Sequence, residues 1–160
     1  MIIRELGKNE TELLKDFLYE ALFVPEGAAP FPREIIKKPE LKLYYEDFGT
    51  GRADFCLVAE EDGAVTGAAW TRIMNDYGHV DDETPSLAIS LYKEYRGRGT
   101  GSMLLKELKE LLRKEGFERI SLSVQKANYA VSMYEKAGFV PVREDEEEYI
   151  MVCDLQGGTR

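Results

Sequence analysis

Apolar positions recur along this chain with two different periods, and the changes of period mark out its elements. Residues 2–6, Ile-Ile-Arg-Glu-Leu, predict a short first strand. Over residues 11–22, Leu13, Leu14, Phe17, Leu18, Ala21 and Leu22 fall at helical spacing. Residues 24–32 are a proline-rich loop. Residues 33–48 keep a helical character but contain Pro39, which breaks or kinks a helix because it lacks an N–H and crowds the preceding turn. A turn at 49–52 leads to two apolar runs, 54–60 and 64–73. They read as paired strands around the hairpin signal Glu61-Asp62-Gly63. Residues 75–84 are a polar loop, and 86–92 a strand with Leu87, Ile89 and Leu91 on one face.

The clearest helix spans residues 101–115, with Leu104, Leu108, Leu111 and Leu112 in one stripe and Gly116 as its stop. A strand at 120–125 follows. A short helix at 128–137 comes next, with Asn128 as N-cap and Gly138 as stop. Residues 139–143 and 149–155 predict a closing hairpin around an exposed acidic tip at 144–148. Residues 156–160 predict a frayed tail. The pattern shows no repeat and no linker. It predicts one α/β (α+β) domain over residues 1–155, with a mixed central sheet of about six to seven strands flanked by about four helices. The unit from 86 to 125 predicts a right-handed parallel crossover.

Composition narrows the picture. At 160 residues and 44% hydrophobic content, the chain is long enough to bury a core without disulfide staples. Lysine and arginine total 21 against 30 acidic residues, a net charge of −9. That balance argues against nucleic acid as partner, since cationic groups hold phosphate backbones. It mildly favours amine ligands, beside its plain role as a solvated surface. Cys56 and Cys153 are the two cysteines; both lie in apolar runs and read as inert core thiols. His79 is the single histidine, so multi-histidine zinc sites are excluded and no metal is expected. No apolar leader or membrane-length run is present. A reduced, cytoplasmic setting is expected.

The informative run is Leu91-Tyr-Lys-Glu-Tyr-Arg96-Gly97-Arg98-Gly99-Thr100-Gly101. It lies between a predicted strand and the strongest helix. Glycines there let the chain turn tightly and aim several N–H groups at one point. A helix N-terminus at the same point attracts an anion. Arg96 and Arg98 add cations within an acidic protein. A phosphate-bearing ligand is the expected occupant. A Rossmann fingerprint would need a glycine where Ser102 stands, and a P-loop would need Gly-Lys followed by Ser or Thr.

Arg96-Gly97-Arg98-Gly99-Thr100-Gly101 resembles the pyrophosphate loop of the GNAT superfamily of N-acetyltransferases: Gln or Arg, two residues, Gly, one residue, Gly or Ala. Asn128-Tyr-Ala-Val-Ser-Met-Tyr134-Glu-Lys-Ala-Gly138-Phe139 resembles that family's asparagine-to-tyrosine helix ending in Gly-Phe. The match is strong from residue 85 to 139 and weak before 54. The resemblance implies acetyl-CoA, or another acyl-CoA, as cosubstrate. It implies pantetheine contacts from the backbone of Ile89 and Leu91, pyrophosphate held by residues 96–101, and a cofactor-arm contact from Asn128, which also reads as a plain helix cap. Tyr134 would lie near the thioester sulfur and protonate the leaving thiolate, with a core aromatic as its structural alternative.

The base for the incoming ammonium is open at this stage. Many sequences of the family carry a glutamate early in the strand before the loop; here that stretch is Pro85-Ser86-Leu87. The nearby titratable residues are His79, Asp81, Asp82 and Glu83. The acidic loop containing them suggests a polarised cleft, with phosphates on one side and a cationic amine on the other. The expected activity is direct acetyl transfer to a primary amine, on a small molecule or a peptide. The rival is a non-catalytic acyl-CoA-binding module on the same fold. Dimers are common in the family, and Tyr44, Tyr45 and Phe48 are candidates for a homodimer surface.

Overall fold

The computed structural model describes residues 1–156. Seven strands form one sheet: β1 (Ile2–Glu5), β2 (Phe55–Glu61), β3 (Ala64–Arg72), β4 (Ser86–Leu91), β5 (Arg119–Gln125), β6 (Val140–Glu144) and β7 (Glu148–Asp154). Their spatial order is β1-β2-β3-β4-β5-β7-β6. Only the β4–β5 pair is parallel; the hairpins run antiparallel, and β7 returns to lie between β5 and β6. The β2–β3 hairpin turns on Asp62 and Gly63, both at positive φ (51° and 80°), as a two-residue turn of matching twist requires. Four helices accompany the sheet: α1 (Leu13–Ala21), α2 (Pro39–Lys42), α3 (Thr100–Lys114) and α4 (Ala130–Lys136).

The period of two along each strand sorts side chains onto two faces. One face presents Leu57, Ala59, Ala69, Leu87, Ile120, Leu122, Val124, Met151 and Cys153. It receives the α3 stripe of Leu104, Leu105, Leu108 and Leu112, with Tyr134 and Phe139 beside it. The opposite face presents Cys56, Val58, Ala68 and Trp70, covered by Leu14, Phe17 and Leu18 of α1 and by Ile36. Trp70 is fully buried and donates its indole N–H to Tyr44 O at 2.9 Å. Both cysteines are buried and unpaired, as their apolar setting predicts, and burial pushes the Cys56 thiol upward.

The segment 33–48 departs from the expected helix. It forms a 3-10 helix (Arg33–Lys37), an extended residue at Lys38, then the four-residue α2. Pro39 excludes the helical region for Lys38 and opens α2 from its first position. Beyond α2, Arg72 removes the need for helical pairing. Its guanidinium donates to the carbonyls of Leu43, Glu46 and Asp47 while pairing with buried Asp54 at 3.0 Å, so the segment's backbone acceptors are satisfied from outside. Tyr44, Tyr45 and Phe48 are partly buried and pack against the α1-side core. Gln156 is held through its side-chain amide to Phe117 O at 2.8 Å; the rest of the expected tail lies outside the described residues.

Candidate active site

The sheet opens between β4 and β5. Their ladder has one register pair, Ser86↔Ser121, near the start of both strands. Tyr92 N–H donates to Thr66 O, which assigns the backbone groups of Ser86, Ala88 and Ser90 to β3. By alternation, Leu87, Ile89 and Leu91 turn theirs toward β5, where no partner stands in register beyond Ser86. The result is a seam at the carboxyl ends of two parallel strands, the place where open α/β sheets take ligands.

The glycine loop lies at the mouth of the seam. Gly97 and Gly99 hold φ of 78° and 84°, conformations that L side chains rarely adopt. Gly99 is the N-cap of α3, and no side chain caps the helix. The first N–H groups of α3 therefore lack side-chain acceptors. Thr100, the first residue of α3, is buried. Gly101 faces Met133 and Leu91; a Cβ there would sit 3.4 and 3.5 Å from their atoms. Arg96 does not extend freely from the loop. It donates to Leu91 O at 2.9 Å and to the Glu20 carboxylate at 3.2 Å, tying loop, β4 and α1 together. Arg98 is the exposed cation, resting over the Tyr95 ring and 3.7 Å from Glu61.

Tyr134 sits on the α3–α4 side of the seam, 8% exposed, its ring edge-on to Phe139. No protein group bonds its hydroxyl, and no sealed side-chain oxygen among the described residues lacks a partner. The phenol oxygen therefore reaches an opening. Burial raises the phenol above its ordinary value, so it stays protonated through neutral pH. The N-cap of α4 is Tyr129 and not Asn128 as expected; Asn128, one residue earlier, accepts the Ala130 N–H at 2.9 Å through its side-chain oxygen, which leaves its amide nitrogen out of that bond.

The opposite face of the seam is polar. Ser86 is fully buried and donates to Asp76 Oδ1 at 2.7 Å. Tyr44 donates to Asp76 Oδ2, also at 2.7 Å. Across the gap, Glu148 stands in register with Gln125, whose side-chain amide donates to Glu148 Oε1 at 2.8 Å. Glu148 is half-buried, whereas Glu146 and Glu147 are exposed. Burial, then the charges of Asp145 and Glu147, hold its carboxyl above the usual glutamate range. The Glu148 charge is felt at the Tyr44 phenol, so the two banks converge. Sequence alone assigned neither Tyr44 nor Glu148 to the site. The available signal was alternation: Glu148, Ile150 and Val152 share a face and are partly or fully buried.

The acidic residues considered for the base lie elsewhere. Asp81 pairs with Arg119, the first residue of β5, and Glu83 lies 3.3 Å from Arg52. The His79 ring contacts Met74 O and Asp82. All of these belong to the closed, amino-terminal end of β4 and β5. Asp76, of the same loop, is bonded to Ser86, where β4 and β5 still pair, and to Tyr44. Among the described residues no group of three or more His, Cys, Asp and Glu could hold a metal ion, and no helix is long and apolar enough to cross a membrane.

An open seam between parallel strands thus has an uncapped, glycine-rich helix start at its mouth. Residues 16–139 match the acetyltransferase (GNAT) family, and the chain belongs to that family. It is 33% identical over 132 residues to the uncharacterized N-acetyltransferase YobR of Bacillus subtilis, covering 82% of this chain and 46% of that protein. It is 33% identical to the mycothiol acetyltransferase of Propionibacterium freudenreichii over 58% of this chain and 30% of that one. The chain thus spans less than half the length of these two curated relatives. In fold it resembles an acetyltransferase from Salmonella typhimurium solved with acetyl-CoA (TM-score 0.70, 19% identity, 98% and 94% of the two chains covered). It also resembles the ribosomal-protein-S18-alanine N-acetyltransferase of Escherichia coli (TM-score 0.66, 19% identity, 96% and 93% covered).

Proposed function

We propose that the chain is an N-acetyltransferase that moves an acetyl group from acetyl-CoA to a primary amine by direct transfer in a ternary complex. The observation that carries this reading is the β4–β5 seam, with donor groups at its mouth and protonic groups on both banks. The residues fit the cosubstrate. Backbone N–H groups of residues 97–101 and the exposed Arg98 suit a pyrophosphate. Arg96, already bonded to Leu91 O and Glu20, shapes the loop. Ile89 offers strand-like pairing to the amides of the pantetheine arm, and the remaining Leu91 N–H adds to it. The Asn128 amide nitrogen, left out of the bond to Ala130, would contact the same arm.

The amine lone pair attacks the thioester carbonyl. The carbonyl oxygen gains charge, and a backbone N–H of β4 stabilises it. As the carbon–sulfur bond breaks, Tyr134 gives its proton to the thiolate. The proposed setting is the cytoplasm, and the proposed acceptor is a small-molecule or peptide amine. Thiol release from acetyl-CoA with a panel of amines tests this: acceptor-dependent release supports it, and tight CoA binding without release overturns it. In the same assay Tyr134→Phe should lower kcat by about 100-fold, with acetyl-CoA affinity unchanged by calorimetry. An unchanged kcat removes Tyr134 from the mechanism.

A further inference from the structure

We propose that Glu148 is the general base of this transfer, taking the proton of the acceptor ammonium on the bank of the seam opposite Tyr134. The assignment rests on the acyl-transfer reading above. An alkyl ammonium, with a pKa of about 10, has no lone pair to attack with near neutrality, so a proton acceptor must stand where the amine enters. The β4 stretch Pro85-Ser86-Leu87 carries no carboxylate. Asp81 and Glu83 are paired with arginines at the closed end.

Asp76 and Glu148 border the polar bank, and they are differently committed. Both oxygens of Asp76 accept hydroxyl donors, Ser86 and Tyr44. Glu148 has Oε1 fixed by Gln125, while Oε2 has no protein donor among the described residues. One oxygen is anchored and the other is left for an incoming N–H. The groups facing Glu148 are Gln125 on β5, Tyr44 beyond α2, and Asp145 and Glu147 on its own turn. The nearby cation, Lys126, is paired with Glu144 and lies over the Tyr149 ring. Among the described residues no cation pairs with Glu148, and the raised carboxyl favours proton uptake.

The placement also suits the bond changes. The nitrogen arrives from the α1 side and the sulfur leaves toward Tyr134 on the other side. Glu148 takes one proton from the ammonium; the nitrogen lone pair forms the C–N bond and the C–S electrons leave with sulfur. Tyr134 protonates that sulfur. The second proton shed by the attacking nitrogen restores the phenol through solvent.

The test is Glu148→Gln in a thiol-release assay with two acceptor classes. Spermidine, lysine amide and an alanine-initiated peptide represent protonated alkylamines; semicarbazide is neutral at pH 7. For the best alkylamine, kcat/KM should fall about 100-fold, and activity should then rise with pH only as the free amine does. Semicarbazide turnover should change little, and acetyl-CoA affinity by calorimetry should hold. Glu148→Asp should restore the acidic limb of the pH profile, and it serves as the test should the glutamine variant fold poorly. Equal loss for both acceptor classes, or a wild-type pH profile in the glutamine variant, overturns the assignment alone. A wild-type protein that releases no thiol with any acceptor overturns the acyl-transfer reading together with it.

Discussion

The two faces of the sheet are built from the same strands and solve different problems. The α3 face is a mostly apolar cluster from Ala53 to Leu155, with the buried Thr71 hydroxyl bonded to Ala53 O. On the α1 face, buried hydroxyls and an indole N–H are mixed into the core, each with a partner. Ser90 donates to Phe17 O at 2.6 Å, Ser121 to Gly78 O at 2.7 Å, Ser86 to Asp76, and Trp70 to Tyr44 O. A buried polar group costs free energy unless it is bonded, so this face is specified by pairing where the other is specified by volume. The lesson is a division of labour: one face holds the seam rigid, and the other brings polar chemistry to it.

That division makes its sharpest demand on α3. Leu108→Ala, at a fully buried position, should cost about 3 kcal/mol of stability by chemical denaturation, with CoA affinity kept in the remaining folded fraction. A loss below about 1 kcal/mol would mean that the stripe is not the scaffold. Asp76→Asn should show the reverse balance. Its amide nitrogen cannot accept from both Ser86 and Tyr44, which costs about 1–2 kcal/mol, while acceptor KM rises because Tyr44 is released. An unchanged KM would place Asp76 in structure only.

The smallest effect is a pH dependence confined to the α1 side. Arg4 and the Gly7 N–H hold the Glu10 carboxyl at about 2, below its unfolded value of about 4.5. Its contribution is complete above the unfolded value and is lost as pH falls toward the folded one. Melting temperature should therefore decline less steeply between these values in Glu10→Gln than in the wild type. Parallel curves would dissolve this part of the contrast.

Legibility in the sequence followed the same line. The α3 stripe and the glycine loop are local, and periodicity or turn chemistry exposed both of them. The β2–β3 hairpin was equally open, because Asp62-Gly63 states its own turn. The α2 region was not, since Arg72, about thirty residues along the chain, satisfies its carbonyls. Nor was the polar bank of the seam. Tyr44, Asp76 and Glu148 come from three distant segments, and only the insertion of β7 between β5 and β6 sets Glu148 beside Gln125. In sequence, Glu148 is simply the last of a run of acids.

The single bridge between β4 and β5 also bears on how the molecule coheres. Four strands lie on one side of it and three on the other. Main-chain hydrogen bonding alone would leave two small sheets, each free to melt by itself. What joins them is the α3-side cluster, which gathers Leu57, Ala69 and Leu87 from one group and Ile120, Leu122 and Met151 from the other. The Ser121–Gly78 contact adds a stitch on the far face. Cooperation between the two strand groups thus falls to side-chain packing across the gap, much of it on one helix.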